Sequence, residues 1–421
     1  MKQKGLKQKI KPPSCMKLVA VVFLILLIYV GSATFPSTAG SILEFVKNED
    51  LGVFTVAKQI DDKYRRMLVF NDYNLRNKGF YINLNGLMAR IMGQRQMNSI
   101  VKLDNGHLAS ENRVPPDITL AVTQLSRFNN ALNEKGKSFV FVLAPYKVPK
   151  FEDILPAGYI NHRNQNADDL VFALKENNVP VLDLRDELFN EGISNTDAFF
   201  ITDHHWKPET GFWAYKKIID TLQDNGLFDP IDPLYTDLDE YNVEVYRDFF
   251  LGSAGKKTGT YYAGVDDFSI ITPKFSTDIS ITIPSSGIDK RGEFFDTVFD
   301  MSEFRFDFFT SNPHAIYGYN TAGFIEYRNE IAPVDLKVLA IGESFCNIPY
   351  TFLPLVFSEV DKYDLRNFKG DFTQQYMAFD PDVVIILVNP TAITGTNTAY
   401  DFLNDINEEE IDIDPSQDGE E

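Results

Sequence analysis

Four short apolar runs constrain this chain more than anything else in it: residues 139–143 (Phe-Val-Phe-Val-Leu), 179–184, 337–341 and 383–388. Each is about as long as a strand and too short for an ordinary helix. None alternates regularly between apolar and polar, so each reads as a strand covered on both faces. Helical patterns lie between them. Asp117 stands as an N-cap before Ile118, Val122, Leu125 and Leu132, which share a face, and Gly136 is a natural stop. A second stretch covers residues 168–177. A third opens at Pro208, a residue favoured at the first helical position, and runs through Phe212, Tyr215, Ile219 and Leu222 to Gly226. After residue 344, helix is expected to about Val360, a short strand at 363–365 and a helix at 372–377. Strand and helix in turn predict an α/β fold with a parallel sheet, whose functional groups sit past the carboxyl ends of its strands.

Past the second run comes Thr202-Asp203-His204-His205-Trp206-Lys207-Pro208, with two of the five histidines in the chain. In an extended segment positions i and i+2 share a side, so Asp203 and His205 are expected to face one way and His204 the other. An Asp203 carboxylate on the His205 ring would fix its tautomer and leave the other nitrogen free to accept a proton. The third run leads directly into Gly342-Glu343-Ser344, which places Ser344 at a strand-to-helix turn. A serine nucleophile, a histidine base and an orienting aspartate are the parts of an acyl-transfer site. The same residues also admit a structural reading, with the histidines capping the next helix and Ser344 capping its own. A zinc site is disfavoured, because adjacent histidines diverge, there is no HExxH, and His107, His162 and His314 are scattered; no metal or cofactor is expected.

Residues 1–17 carry six lysines and no acid, and 18–33 carry no charge. This predicts a basic cytoplasmic segment and a signal-anchor helix with the bulk outside the cell; cleavage and secretion is the alternative. Cys15 and Cys346 would then lie on opposite sides of the membrane, so no internal disulfide is expected. The formal net charge of −20 makes nucleic acid a poor partner and an anionic polymer an awkward substrate. Residues 41–110 read as a stalk and lead-in, 111–405 as the α/β domain with an insertion at 227–332, and 406–421 as an acidic, solvated tail. Within the insertion, 268–272 and 279–284 look like strands. Residues 252–258 lack the spacing of a phosphate-binding loop and read as a mobile glycine-rich loop.

In this order the motifs resemble the DHHW-type family, circularly permuted SGNH hydrolase-like proteins similar to the alginate O-acetyltransferases of the bacterial cell envelope. The resemblance covers roughly 115–226 and 334–400. It implies a flavodoxin-like three-layer fold with the Asp-His block ahead of the serine block, and catalytic roles for Ser344, His205 and Asp203. It further implies an oxyanion site at Gly370 and Asn389, although the usual Gly-x-Asn-Asp is Leu387-Val388-Asn389-Pro390 here and Glu343 replaces the common Asp or Thr. His204 and Trp206 take packing roles. Lys147 and Arg185, past strand ends, are left as saccharide contacts or surface charges. The implied activity is O-acetyl transfer to a cell-envelope or secreted polysaccharide, with a multipass membrane acyltransferase as possible acetyl supplier. The alternatives are a carbohydrate acetyl esterase with the same residues and a non-catalytic glycan-binding or assembly protein.

Overall fold

The structure is a computed structural model that describes residues 24–25, 78–111, 117–319, 322–364 and 366–391. Contacts divide the chain into units 1–82 and 83–421, and the architecture below is that of the second. The basic segment, the expected anchor at 18–33 apart from Leu24 and Ile25, and the acidic tail lie outside the described residues. Among the described residues no helix is long and apolar enough to cross a membrane.

The strands in chain order are β1 (Gln96–Met97), β2 (Ile100–Lys102), β3 (Leu108–Ser110), β4 (Ser138–Leu143), β5 (Val181–Asp183), β6 (Tyr241–Phe250), β7 (Asp266–Pro273), β8 (Ile279–Ile283), β9 (Ile288–Gly292), β10 (Phe324–Arg328), β11 (Val334–Gly342), β12 (Phe357–Tyr363) and β13 (Val383–Val388). Eight form one sheet in the order β5-β4-β13-β11-β12-β10-β8-β9. The first five are parallel, with β13 between β4 and β11. The last three pair antiparallel. The sheet is therefore mixed, which corrects the all-parallel expectation. Residues 227–332 supply that antiparallel wing together with the separate β6-β7 hairpin.

The apolar runs are strands because both sheet faces are covered. Along β4, Phe139, Phe141 and Leu143 enter one core while Val140 and Val142 enter the other, and β13 divides in the same way. The helices Thr119–Glu134, Arg163–Glu176 and Phe372–Phe379 pack on the first face. Pro208–Asp224 packs on the second, with Phe212, Tyr215, Ile218 and Ile219 buried against it. The result is three layers.

Boundaries depart from the sequence reading: the helix read from 168 begins at Arg163, the strand read at 363–365 is β12, and two further departures have a local cause. The run at 179–184 becomes helix at Leu184, because the Asp183 side chain accepts the Arg185 N–H and caps it. The helix expected to reach Val360 stops at Phe352, a 3-10 turn containing Pro354 follows, and β12 starts at Phe357; proline cannot donate to a continuing helix.

Candidate active site

Ser344 follows β11, the strand next to the sheet centre, and His205 lies in the loop that leads into the helix Pro208–Asp224. Although 139 residues apart in sequence, they meet: His205 Nε2 is 2.7 Å from Ser344 Oγ, and His205 Nδ1 is 2.5 Å from Asp203 Oδ1. With the Nδ1 proton donated to the carboxylate, Nε2 is the bare acceptor facing the hydroxyl. Asp203 and His205 are buried. Burial by itself would raise the Asp203 carboxyl, but His204 and His205 outweigh it and hold it well below the usual carboxylate range.

The local geometry differs from the extended segment expected. Residues 201–205 form a bend, and Asp203 Oδ1 also accepts the His205 backbone N–H at 3.0 Å. Asp203 and His205 thus face each other across an Asx-type turn. The other carboxylate oxygen, Oδ2, accepts the N–H of Ser253 at 2.6 Å. Ser253 begins the short helix Ser253–Thr258, so the stretch expected to be a mobile glycine-rich loop is ordered. Its glycines serve close approach. A Cβ on Gly252 would fall 2.2 Å from Asp203 Cβ, and one on Gly255 would fall 2.8 Å from Thr202 Cβ. Thr202 donates its N–H and its hydroxyl to Asp266, which pins the bend from below.

Lys147 is neither a saccharide contact nor a surface charge. It is fully buried, and its ammonium donates to the carbonyls of Leu108, Ile201 and Asp203. Burial pushes it down to about 7 against the pull of Asp266 and Asp203. Arg185 is likewise buried and bound to Asp183 and Asp168. Trp206 is buried against Phe345, a packing role, whereas His204 is half-exposed with Nδ1 3.0 Å from Ser253 Oγ.

Glu343 sits beside the hydroxyl. Its Oε2 lies 3.1 Å from Ser344 Oγ, a second and longer-range acceptor competing with His205 Nε2 for the one hydroxyl hydrogen, and accepts the Phe345 N–H at 3.2 Å, while Oε1 accepts the Asn389 N–H and Nδ2 at 3.1 and 2.6 Å. Asn389 is therefore within one residue's reach of Ser344, yet its backbone N–H and one side-chain hydrogen are committed to Glu343. Gly370 is exposed, in a groove of about 610 Å³ lined by Pro284, Gly323, Phe324 and Phe368. A Cβ there would fall 2.4 Å from Cζ of the half-buried Phe368, so that ring would have to shift. The Asp203, His204 and His205 donor atoms lie within 4.8 Å of one another, close enough for an ion. Both His205 nitrogens and both Asp203 oxygens already hold hydrogen bonds, so chelation would dismantle the chain to Ser344.

Ser253, Glu343 and His314 carry no signal in the sequence beyond their residue types. Glu343 was read only as standing where an Asp or Thr is common, and Ser253 only as part of the stretch 252–258. His314 stacks on His205, and no spacing rule links them.

Residues 108–239 match a family model described as the SGNH hydrolase-like domain of the acetyltransferase AlgX. PatB1 of Bacillus cereus superposes with a TM-score of 0.59 at 19% identity, over 72% of this chain and 99% of that one. The chain folds as an SGNH hydrolase-like domain. A DHHW family protein from Eubacterium siraeum is also similar in fold, with a TM-score of 0.54 at 18% identity over 74% of this chain and 96% of the other. The resemblance read from the Asp-His-His-Trp motif is thus met in the fold. Among curated proteins none matches. The family-model match contains Asp203 and His205 but stops before Ser344.

Proposed function

We propose that this protein is an O-acetyltransferase that acts on a cell-envelope or secreted polysaccharide through an acetyl-enzyme at Ser344. The observation that carries the reading is the unbroken chain from Asp203 Oδ1 through the His205 ring to Ser344 Oγ. The match of residues 108–239 to an acetyltransferase family model supports acetyl as the acyl group. Ser344 Oγ attacks the acetyl carbonyl carbon, and its proton passes to His205 Nε2. Asp203 balances the imidazolium, and the proton then goes to the leaving group as the carbonyl re-forms. In the second half-reaction His205 removes a proton from a sugar hydroxyl, that oxygen attacks the acetyl carbon, and Ser344 is regenerated. Asn389, through its remaining Nδ2 hydrogen, and Gly370 are the oxyanion donors in this reading.

The order of the segments, Asp203 and His205 ahead of Ser344, is read as a circular permutation of the ordinary SGNH arrangement. The lysine-flanked apolar stretch at 18–33 is read as a membrane anchor with the domain outside the cell, where a multipass acyltransferase would supply acetyl groups.

One solved structure of Bacillus cereus PatB1 carries a sulfonyl adduct, which suggests the probe. The full chain, treated with 4-nitrophenyl acetate or a sulfonyl fluoride, is expected to gain one adduct by intact mass. Ser344→Ala should show none, with ester turnover slowed at least about 10⁴-fold. Release of acetate at an undiminished rate in the presence of acceptor glycan, with none transferred, would assign an esterase. No adduct on the folded native protein would leave a glycan-binding role.

A further inference from the structure

His314 is buried and its ring lies face to face with that of His205, centroids 3.9 Å apart and planes at 16°. Neither of its ring nitrogens has a hydrogen-bond partner among the described residues. A neutral imidazole always carries one N–H, so burying it unpaired costs stability that a phenylalanine of similar shape would not. The backbone around it is held firmly. Pro313 opens a 3-10 turn, Ala315 N–H donates to Asn312 O at 2.8 Å, and Lys256 donates to Ser311 O at 2.6 Å. Lys256 belongs to the same short helix whose Ser253 N–H holds Asp203. One small element therefore fixes both the orienting carboxylate and the ring stacked on the base.

We infer that His314 is a positioning residue: its neutral ring face keeps the His205 imidazole in the plane that joins Asp203 to Ser344, and stabilises the imidazolium formed when Ser344 gives up its proton. The face of a neutral aromatic ring attracts a cation lying over it, and the attraction grows where water is excluded. His205 takes on a positive charge when it accepts the Ser344 proton, so the contact strengthens in that charged state, where it favours reaction. A charged His314 would do the opposite. Burial, and then the neighbouring His205, His204 and Lys362, opposed by Asp203, keep it neutral by holding it well below the ordinary histidine range.

The inference rests on the acyl-transfer reading, and one readout is independent of it. The full chain is compared with His314→Phe, which keeps a ring face, and His314→Leu, which does not; His314→Met replaces the leucine variant if that one fails to fold. Acetylation of Ser344 by 4-nitrophenyl acetate is followed against pH, and the His205 ring is titrated by NMR with labelled histidine. In the leucine variant the His205 midpoint is expected to fall by about half a pH unit to one, and acetylation to slow about tenfold with KM unchanged. In the phenylalanine variant both should stay within about twofold of native. A native midpoint in the leucine variant, or a phenylalanine variant as impaired as leucine, overturns the inference. Absence of any acetyl adduct on the native protein sinks the acyl-transfer reading instead, and the NMR midpoint still decides the role of His314.

Discussion

The two halves of the large sheet solve different problems. In the parallel half, β13 is buried at every position from Val383 to Val388, because helices cover both faces. In the antiparallel wing, β8 alternates, with Ile279, Ile281 and Ile283 buried and Ser280 and Thr282 half-buried between them, since one face alone meets the core. The parallel half ends in loops that bear the chemistry, Ser344 after β11 and Asn389 after β13. The wing adds no member to the Asp203–His205–Ser344 chain, yet its connection from β9 to β10 delivers His314 onto the His205 ring. The doubly covered half thus sets the reacting atoms, and the wing lays one ring against them.

The largest test of this division is Asp203→Asn. The amide keeps the size but cannot balance an imidazolium, and where its NH₂ faces His205 Nδ1 it favours the wrong tautomer. Acetylation of Ser344 should fall by about 10²–10⁴-fold, read by intact mass over time, in a protein that remains folded by circular dichroism. A loss under about tenfold would detach the loop at 201–205 from the chemistry and leave Ser344 to be activated by Glu343.

Core truncations come next. Ile385 of β13 and Ile281 of β8 are equally buried, so transfer energy by itself predicts equal costs for replacement by alanine. The cavities differ in their surroundings. Around Ile385 strands pair on both sides and helices cover both faces, so little can relax, and the cost should lie near the top of the usual range of about 2–5 kcal/mol. Around Ile281 the outer face is open and β9 is an edge, so collapse is easier and the cost should lie near the bottom of that range. Urea unfolding of the two variants decides it. Equal costs would mean that the wing is as rigid as the parallel half.

What could be read from the sequence follows the same division. The continuous runs at 139–143 and 383–388 were legible because burial on both faces leaves an unbroken apolar signal. So was the pairing of Asp203 with His205, though the turn that makes it was not. The wing was taken as an insertion: its strand at 279–284 was legible from the alternation, but nothing local shows that it joins the large sheet through β10. Close approach was invisible too. Gly252 and Gly255 suggested mobility, whereas they are glycines because Asp203 and Thr202 lie against them. Lys147 looked like a surface charge, since nothing local shows that three carbonyls, from residues 108, 201 and 203, converge on it.

The smallest expected effect separates the two buried histidines that lack partners. His107 lies beside Lys147, at the carboxyl end of β4, and like His314 has neither ring nitrogen hydrogen-bonded among the described residues. Among the described residues it stacks on no reacting group. Burial, with Lys147 and Lys207 adding to it, pushes it down to about 3. The unfolded chain would bind a proton near pH 6.5 that the folded chain refuses. This contribution is therefore fully present above about pH 6.5 and is lost as pH falls toward 3, at roughly 1.4 kcal/mol per unit within that window. His107→Phe removes it. Unfolding free energies from urea titrations at pH 6.5, 5.5 and 4.5 should fall less steeply in the variant by about that amount, while His314 and Asp203 keep the remaining acid sensitivity. Acetylation of Ser344 should be unchanged. If His107→Phe instead altered the acetylation rate as much as His314→Leu, stacking on His205 would not be what distinguishes the two histidines, and the wing would lose its claim on the chemistry.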